Sequence, residues 1–122
     1  MSSQIQPQIT YAAILGRVLQ TYREGAGANQ AHLAAALGIS QPAYSKIEQG
    51  GTTMSVLQLR TAAQTLKVDP GFMLRDVEFW IARLAAQNVT VVSHKEVPKA
   101  ALLVGLGMLA GLIAIGSAAA GS

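Results

Sequence analysis

The sequence predicts an all-α protein: a bundle of five short helices, two of them joined by a tight turn, followed by one long apolar helix. Three observations carry this. Apolar residues recur at helical spacing in five segments between Thr10 and Ala86, and Gly, Pro or capping residues separate them. The stretch 30–50, QAHLAAALGISQPAYSKIEQG, holds two of these segments with only a glycine-containing turn between them. Every charged residue lies at or before Lys99, so 100–122 carries no charge at all.

Residues 1–9 are Ser, Gln and Pro with scattered isoleucine and read as a flexible, disordered arm. The domain spans 10–87. Its first helix runs from a Thr10 cap to about Glu24, with Ile14, Leu15, Val18, Leu19 and Tyr22 on one face. Asn29 caps the second helix, whose inner face is Leu33, Ala34 and Leu37. Gly38 sits where a helix ends in a left-handed residue. Ser40 caps the third helix and Pro42 lies in its first turn, where a missing N–H costs nothing. Tyr44 and Ile47 point inward from it, leaving Gln41, Ser45 and Lys46 outward. Ser55 or Thr53 caps the fourth helix, with Val56, Leu57, Leu59, Ala62, Ala63 and Leu66 as its expected buried side. Asp69-Pro70 starts the fifth, which continues to about Ala86. Leu74, Val77, Ile81 and Leu84 form its apolar seam, readable either as core or as a dimer contact. Residues 88–98 read as an extended linker with a short strand possible at 89–92.

Two short helices across a tight turn are the layout of a helix-turn-helix, whose second helix enters the DNA major groove. The residues resemble the phage repressor and Cro-type (XRE) family. The resemblance runs through Leu15-Gly16, Leu19, Arg23, Gly27, Asn29-Gln30, Leu33-Ala34, Leu37-Gly38, Ile39-Ser40-Gln41, Ser45-Lys46-Ile47-Glu48 and Gly50, and more loosely to about Leu74. It implies a five-helix Cro/repressor-type domain that binds double-stranded DNA. It also implies that Ser40 and Gln41 open the reading face, with Gln41 able to pair bidentately with an adenine edge. Pro42 and Ala43 would touch a thymine methyl, Ser45 and Lys46 a base or phosphate, and Gln30 a phosphate at a helix N-terminus. Arg23 and Glu48 would form a structural ion pair locking the third helix against the first.

Composition narrows the classes. Hydrophobic residues make up 51% and charged residues 12%, an odd mixture that segregation along the chain explains. From Thr10 to Leu74 there are five Lys and Arg against three Asp and Glu, a mild excess for a DNA binder. The absence of cysteine excludes disulfides and thiolate metal sites. His32 and His94 are isolated, so no metal site is expected. No nucleophile–base pair, carboxylate dyad or phosphate loop suggests an enzyme, and no cofactor is implied.

The tail, 99–122, reads as a transmembrane helix. Twenty-one uncharged residues would span roughly 31 Å, near the thickness of a bilayer's hydrocarbon core. Lys95 and Lys99 precede it, which predicts a single-pass protein of the bacterial inner membrane with its N-terminal domain in the cytoplasm. Gly107 and Gly111 form a GxxxG pair, and Ala110, Ala114 and Ala118 repeat small residues at the same spacing. That pattern is expected to pack membrane helices into a homo-oligomer.

The expected function is a membrane-anchored DNA-binding protein, either a transcriptional regulator or a DNA–membrane tether, acting as an oligomer. Two alternatives stay open. In proteins of the RodZ type a similar domain before one transmembrane segment binds a cytoskeletal partner, so a cytoskeletal or membrane protein could replace DNA. In the other, the tail assembles a pore or filament and the domain caps it.

Overall fold

The structure, a computed structural model, describes residues 7–93 and 98–120, with side chains of the last helix described as far as Ala114. The elements in order are β1 (Gln8–Thr10), α1 (Tyr11–Gly25), α2 (Gln30–Leu37), α3 (Gln41–Glu48), α4 (Val56–Leu66), α5 (Pro70–Ala86), β2 (Thr90–Val92) and α6 (Lys99–Ala120).

Local chemistry sets each helix start. The side chains of Thr10, Asn29, Ser40 and Ser55 each accept a hydrogen bond from the backbone N–H three residues on. These bonds satisfy amides that the helix itself leaves orphaned. Ser55 and Gln58 go further and bond reciprocally as a capping box. Gly38 ends α2 with φ of 71°, a left-handed conformation that glycine adopts without strain.

One core joins α1 to α5. Ile14, Val18 and Leu19 of α1 meet Leu33 of α2, Tyr44 and Ile47 of α3, Ala62 and Ala63 of α4, and Met73, Val77 and Leu84 of α5. Gly16 is where α1 crosses α3: an added Cβ there would collide with the Ile47 and Glu48 carbonyl groups. That contact fixes the height of α3 against α1. Across α1 and α5, the Tyr22 hydroxyl donates to Asp76 at 2.6 Å and Tyr11 to Glu78 at 3.4 Å.

Several expectations need correcting. Val56 and Leu57 are 84% and 71% exposed, because α4 enters the core only from Leu59 onward. Leu74 also faces out, while Met73, one position earlier, is fully buried. Gln8 and Ile9, read as part of a disordered arm, lie in β1, which pairs in parallel with β2 in the register Ile9↔Val91. Ile9 is fully buried. Residues 1–6 of that arm, and His94 and Lys95 of the linker, lie outside the described residues.

The largest correction concerns the tail. Among the described residues no helix is long and apolar enough to cross a membrane. The transmembrane helix expected over 99–122, and the single-pass inner-membrane location that followed from it, are therefore not seen. Among the described residues the architecture is six helices and a two-stranded ribbon rather than five helices and a membrane span. The physical reason lies in what covers α6: it packs on β1 and α5, with Ala101, Gly105 and Leu109, spaced by four, buried and Leu109 part of the core. Gly105 lies so close to β1 that an added Cβ would collide with the Gln8 carbonyl oxygen. Gly107 and Gly111 are on another side, where an added Cβ would meet nothing within 4 Å. Ala110 is half-buried and Ala114 exposed, so the small-residue stripe is not what fastens this helix.

Candidate nucleic-acid interface

The third helix has two faces, and its buried one is unusually polar. Glu48 is 5% exposed and Arg23 of α1 is 8% exposed. Arg23 grips the carboxylate at two points, Nε to Oε2 at 2.6 Å and Nη2 to Oε1 at 3.1 Å. Its remaining Nη1 donates to the Ala28 carbonyl at 2.9 Å, closing the turn before α2. The Tyr44 hydroxyl donates to Glu48 Oε2 at 2.6 Å, and Gln30 Nε2 donates to Oε1 at 2.9 Å. One carboxylate thus ties together α1, the start of α2 and the second half of α3.

Burial alone would raise the Glu48 pKa. Hydrogen bonds from Arg23, Tyr44 and Gln30 outweigh it and bring the carboxyl below its ordinary value. The same bridge raises the Arg23 pKa, with the Glu48 hydrogen bond dominant and burial opposing it. The Tyr44 phenol is pushed well above its usual range, by burial first and by the Glu48 hydrogen bond next. At neutral pH the group is therefore an ion pair with a neutral phenol, every polar atom of which is engaged.

The outward face is formed at the helix start. Ser40, Gln41, Pro42, Ala43 and Lys46 are exposed and Ser45 is half-buried. The Ser40 Oγ accepts from the Ala43 amide at 3.2 Å and so caps the helix, with its O–H still able to donate. Ser45 accepts a hydrogen bond from Gln49 Nε2 at 3.1 Å. An open groove runs beside this face, lined by the Ser40 cap, by Pro42, Ala43 and Lys46 of α3, and by Thr52 and Gln58 beyond it.

The structure thus separates the residues singled out from sequence. Pro42, Ala43 and Lys46 line the open groove together and Gln41 is exposed at the start of the same helix, whereas the Gln30 amide is turned to Glu48. Thr52 and Gln58 were missed as members of the groove. The Ser55-x-x-Gln58 pattern was the available signal, because a capping box brings the α4 start into a fixed position. Tyr44 was placed in the core but not as a partner of Glu48. Its spacing of four from Glu48 on one helix face could have shown that. His32 is exposed on α2, and among the described residues no group of three or more His, Cys, Asp or Glu could hold a metal ion.

Comparison with known proteins agrees with this geometry. Residues 14–72 match the family described as a helix-turn-helix domain. No curated protein matches the chain. Among solved structures the chain is similar to the clp gene regulator ClgR from Corynebacterium glutamicum, with 26% identity and a TM-score of 0.60 over 63% of this chain and 82% of that one. Another crystal structure of the C. glutamicum regulator gives a TM-score of 0.53 at 24% identity, covering 56% of this chain and 88% of that one. A mutant of the restriction-modification controller protein C.Esp1396I gives 0.55 at 19% identity, covering 60% and 95%. The fold of the domain is that of an XRE-type helix-turn-helix.

Proposed function

We propose that the protein binds double-stranded DNA in a sequence-dependent manner and serves as a transcriptional regulator, with α3 as the helix that enters the major groove. The observation that carries this reading is the two-faced α3. Its inner face is pinned by the Arg23–Glu48 bridge, while Pro42, Ala43 and Lys46 line an open groove and Gln41 is exposed at the helix start. A reading helix needs that combination, because base edges are recognised only by side chains held in a fixed register. Gln41 supplies the paired donor and acceptor that match an adenine edge. Pro42 and Ala43 supply small apolar surface for a thymine methyl. Lys46 supplies a charge for phosphate. The similarity to a gene regulator supports the same reading.

The test is selection of the full chain against random duplexes at low salt, followed by binding to the enriched sequence. Gln41→Ala should relax base preference at one or two positions. Lys46→Ala should weaken binding evenly across sequences and flatten the logarithmic salt dependence by about one unit. If no duplex is enriched, the open face of α3 serves a protein partner and the DNA reading is wrong.

A further inference from the structure

The groove between α3 and the start of α4 has a lining that base reading alone does not account for. Its volume is about 410 Å³, inside the range of roughly 300–1,000 Å³ typical of small-molecule sites. Ile39, Pro42, Ala43 and Ile47 supply its apolar lining. Ser40, Lys46, Thr52 and Gln58 supply the polar lining, and no carboxylate joins them. The polar chemistry is biased towards donating. Lys46 is exposed and makes no ion pair among the described residues. Gln58 Oε1 is taken by the Ser55 amide at 2.9 Å, so what its side chain has left to offer is the NH2 group. The Ser40 and Thr52 hydroxyls can each donate as well, Ser40 while its Oγ caps α3.

An ammonium, an amide NH2 and two hydroxyls beside apolar walls suit a molecule with negative charge at one end and hydrocarbon behind it. A bare phosphate would satisfy the donors and leave the apolar lining facing water. An uncharged hydrocarbon would strip water from the lysine and the amide without replacing its hydrogen bonds. A carboxylate on an apolar body meets both needs, because its two oxygens accept several hydrogen bonds and charge-assisted ones are the stronger kind. We propose that this groove binds a small organic anion, a monocarboxylate on a compact apolar body, and that such a ligand and a duplex exclude each other. Exclusion follows because Pro42, Ala43 and Lys46 would be engaged by either. That half of the proposal rests on the DNA reading, and the binding half does not.

The probe is benzoate, with inorganic phosphate and benzylamine as controls, titrated at constant ionic strength into the full chain and followed by amide chemical-shift mapping. Benzoate should give saturable shifts at Ala43, Lys46, Thr52 and Gln58. Phosphate should need at least about tenfold more to saturate, and benzylamine should leave the groove unshifted. Gln58→Glu keeps the capping box, since a glutamate closes it equally well, but puts a carboxylate where the NH2 stood. It should weaken benzoate at least about tenfold and leave the thermal melt close to that of the unaltered chain. Absence of saturable benzoate shifts in the groove overturns the proposal. So does equal binding of benzylamine, or benzoate binding indifferent to Gln58→Glu. Phosphate as strong as benzoate would show an anion seat that makes no use of the apolar lining, and would overturn the ligand class. A second titration adds benzoate to the chain with its selected duplex. The apparent Kd for duplex should rise with benzoate once the groove is saturated, and a constant value overturns the exclusion. If no duplex is selected at all, the DNA reading fails, while the benzoate shifts still decide the site.

Discussion

The α1–α3 corner and the α6 tail are both fastened to the same core, but by different physics. At the corner, Glu48 receives four hydrogen bonds from Arg23, Tyr44 and Gln30, and Gly16 permits backbone to meet backbone. These contacts have one geometry. A small slide of α3 would break a buried ion pair and drive a carbonyl into α1, so the position of the helix is specified as well as stabilised. At the tail, α6 lies on β1 and α5 with Ala101, Gly105 and Leu109 buried, while Leu103 and Val104 stay 59% and 40% exposed. Apolar burial is non-directional and proportional to area. It holds α6 on the domain with its register marked at one point, where Gly105 meets the Gln8 carbonyl. The part that presents α3 is thus fixed by a network of directional contacts together with a close approach, and the part that caps β1 by a close approach alone.

Breaking the corner should have the largest effect. Glu48→Ala leaves the Arg23 guanidinium buried without its counter-ion and should cost about 4 kcal/mol in thermal or urea unfolding. Replacing both Arg23 and Glu48 by apolar residues should recover part of that loss, whereas strict additivity of the two single changes would contradict the bridge. Gly16→Ala comes next. Its methyl must push α3 away from α1, and overpacking of this kind costs about 2–3 kcal/mol. The change should also weaken duplex binding, because it shifts the helix that carries Gln41.

At the tail, Leu109→Ala should cost only about 2 kcal/mol, the low end for a buried leucine, since α6 can readjust along an apolar surface. It should leave duplex binding unchanged. A loss as large as that of Glu48→Ala would show that the two regions are fastened equally.

The smallest effect expected is on pH dependence. The Tyr22 pKa is raised to about 12, by burial first and then by its hydrogen bond to Asp76 and that carboxylate's charge. A raised folded value means that the unfolded chain ionises first, so this contribution is complete below pH 10 and is lost towards pH 12. Tyr22→Phe should flatten that alkaline loss in denaturant titrations. Glu48 acts with the opposite sign. Its folded pKa is lowered, so its contribution is full above the ordinary carboxylate value and disappears as pH falls through the folded one.

The same contrast decided what could be read from the sequence. Caps, the Gly38 turn and the inward positions of α1 to α3 are local patterns, and they placed the helices and the open face of α3. Arg23 and Glu48 stand 25 positions apart, and only resemblance to a family suggested that they meet. The parts played by Tyr44 and Gln30 around that carboxylate depend on packing that no local pattern encodes. Residues 100–120 misled because a helix apolar on every side has no period. In sequence such a pattern reads alike as a bilayer span and as the filling of a protein groove, and the contact that matters, Gly105 against β1, needs a strand only three residues long. Val56 and Leu57 were assigned to the core by their apolarity alone, whereas their position before the first inward residue of α4 leaves them in solvent.

The central claim is that α3, held by the buried Glu48 network, is the reading face for DNA. Amide chemical-shift mapping of the full chain, titrated with its selected duplex, tests it most directly. The account predicts the largest shifts at Gln41, Ala43 and Lys46, with smaller ones at Thr52 and Gln58 across the groove. Shifts concentrated on α5 or α6 with α3 unchanged, or no saturable shifts at low salt, would contradict it.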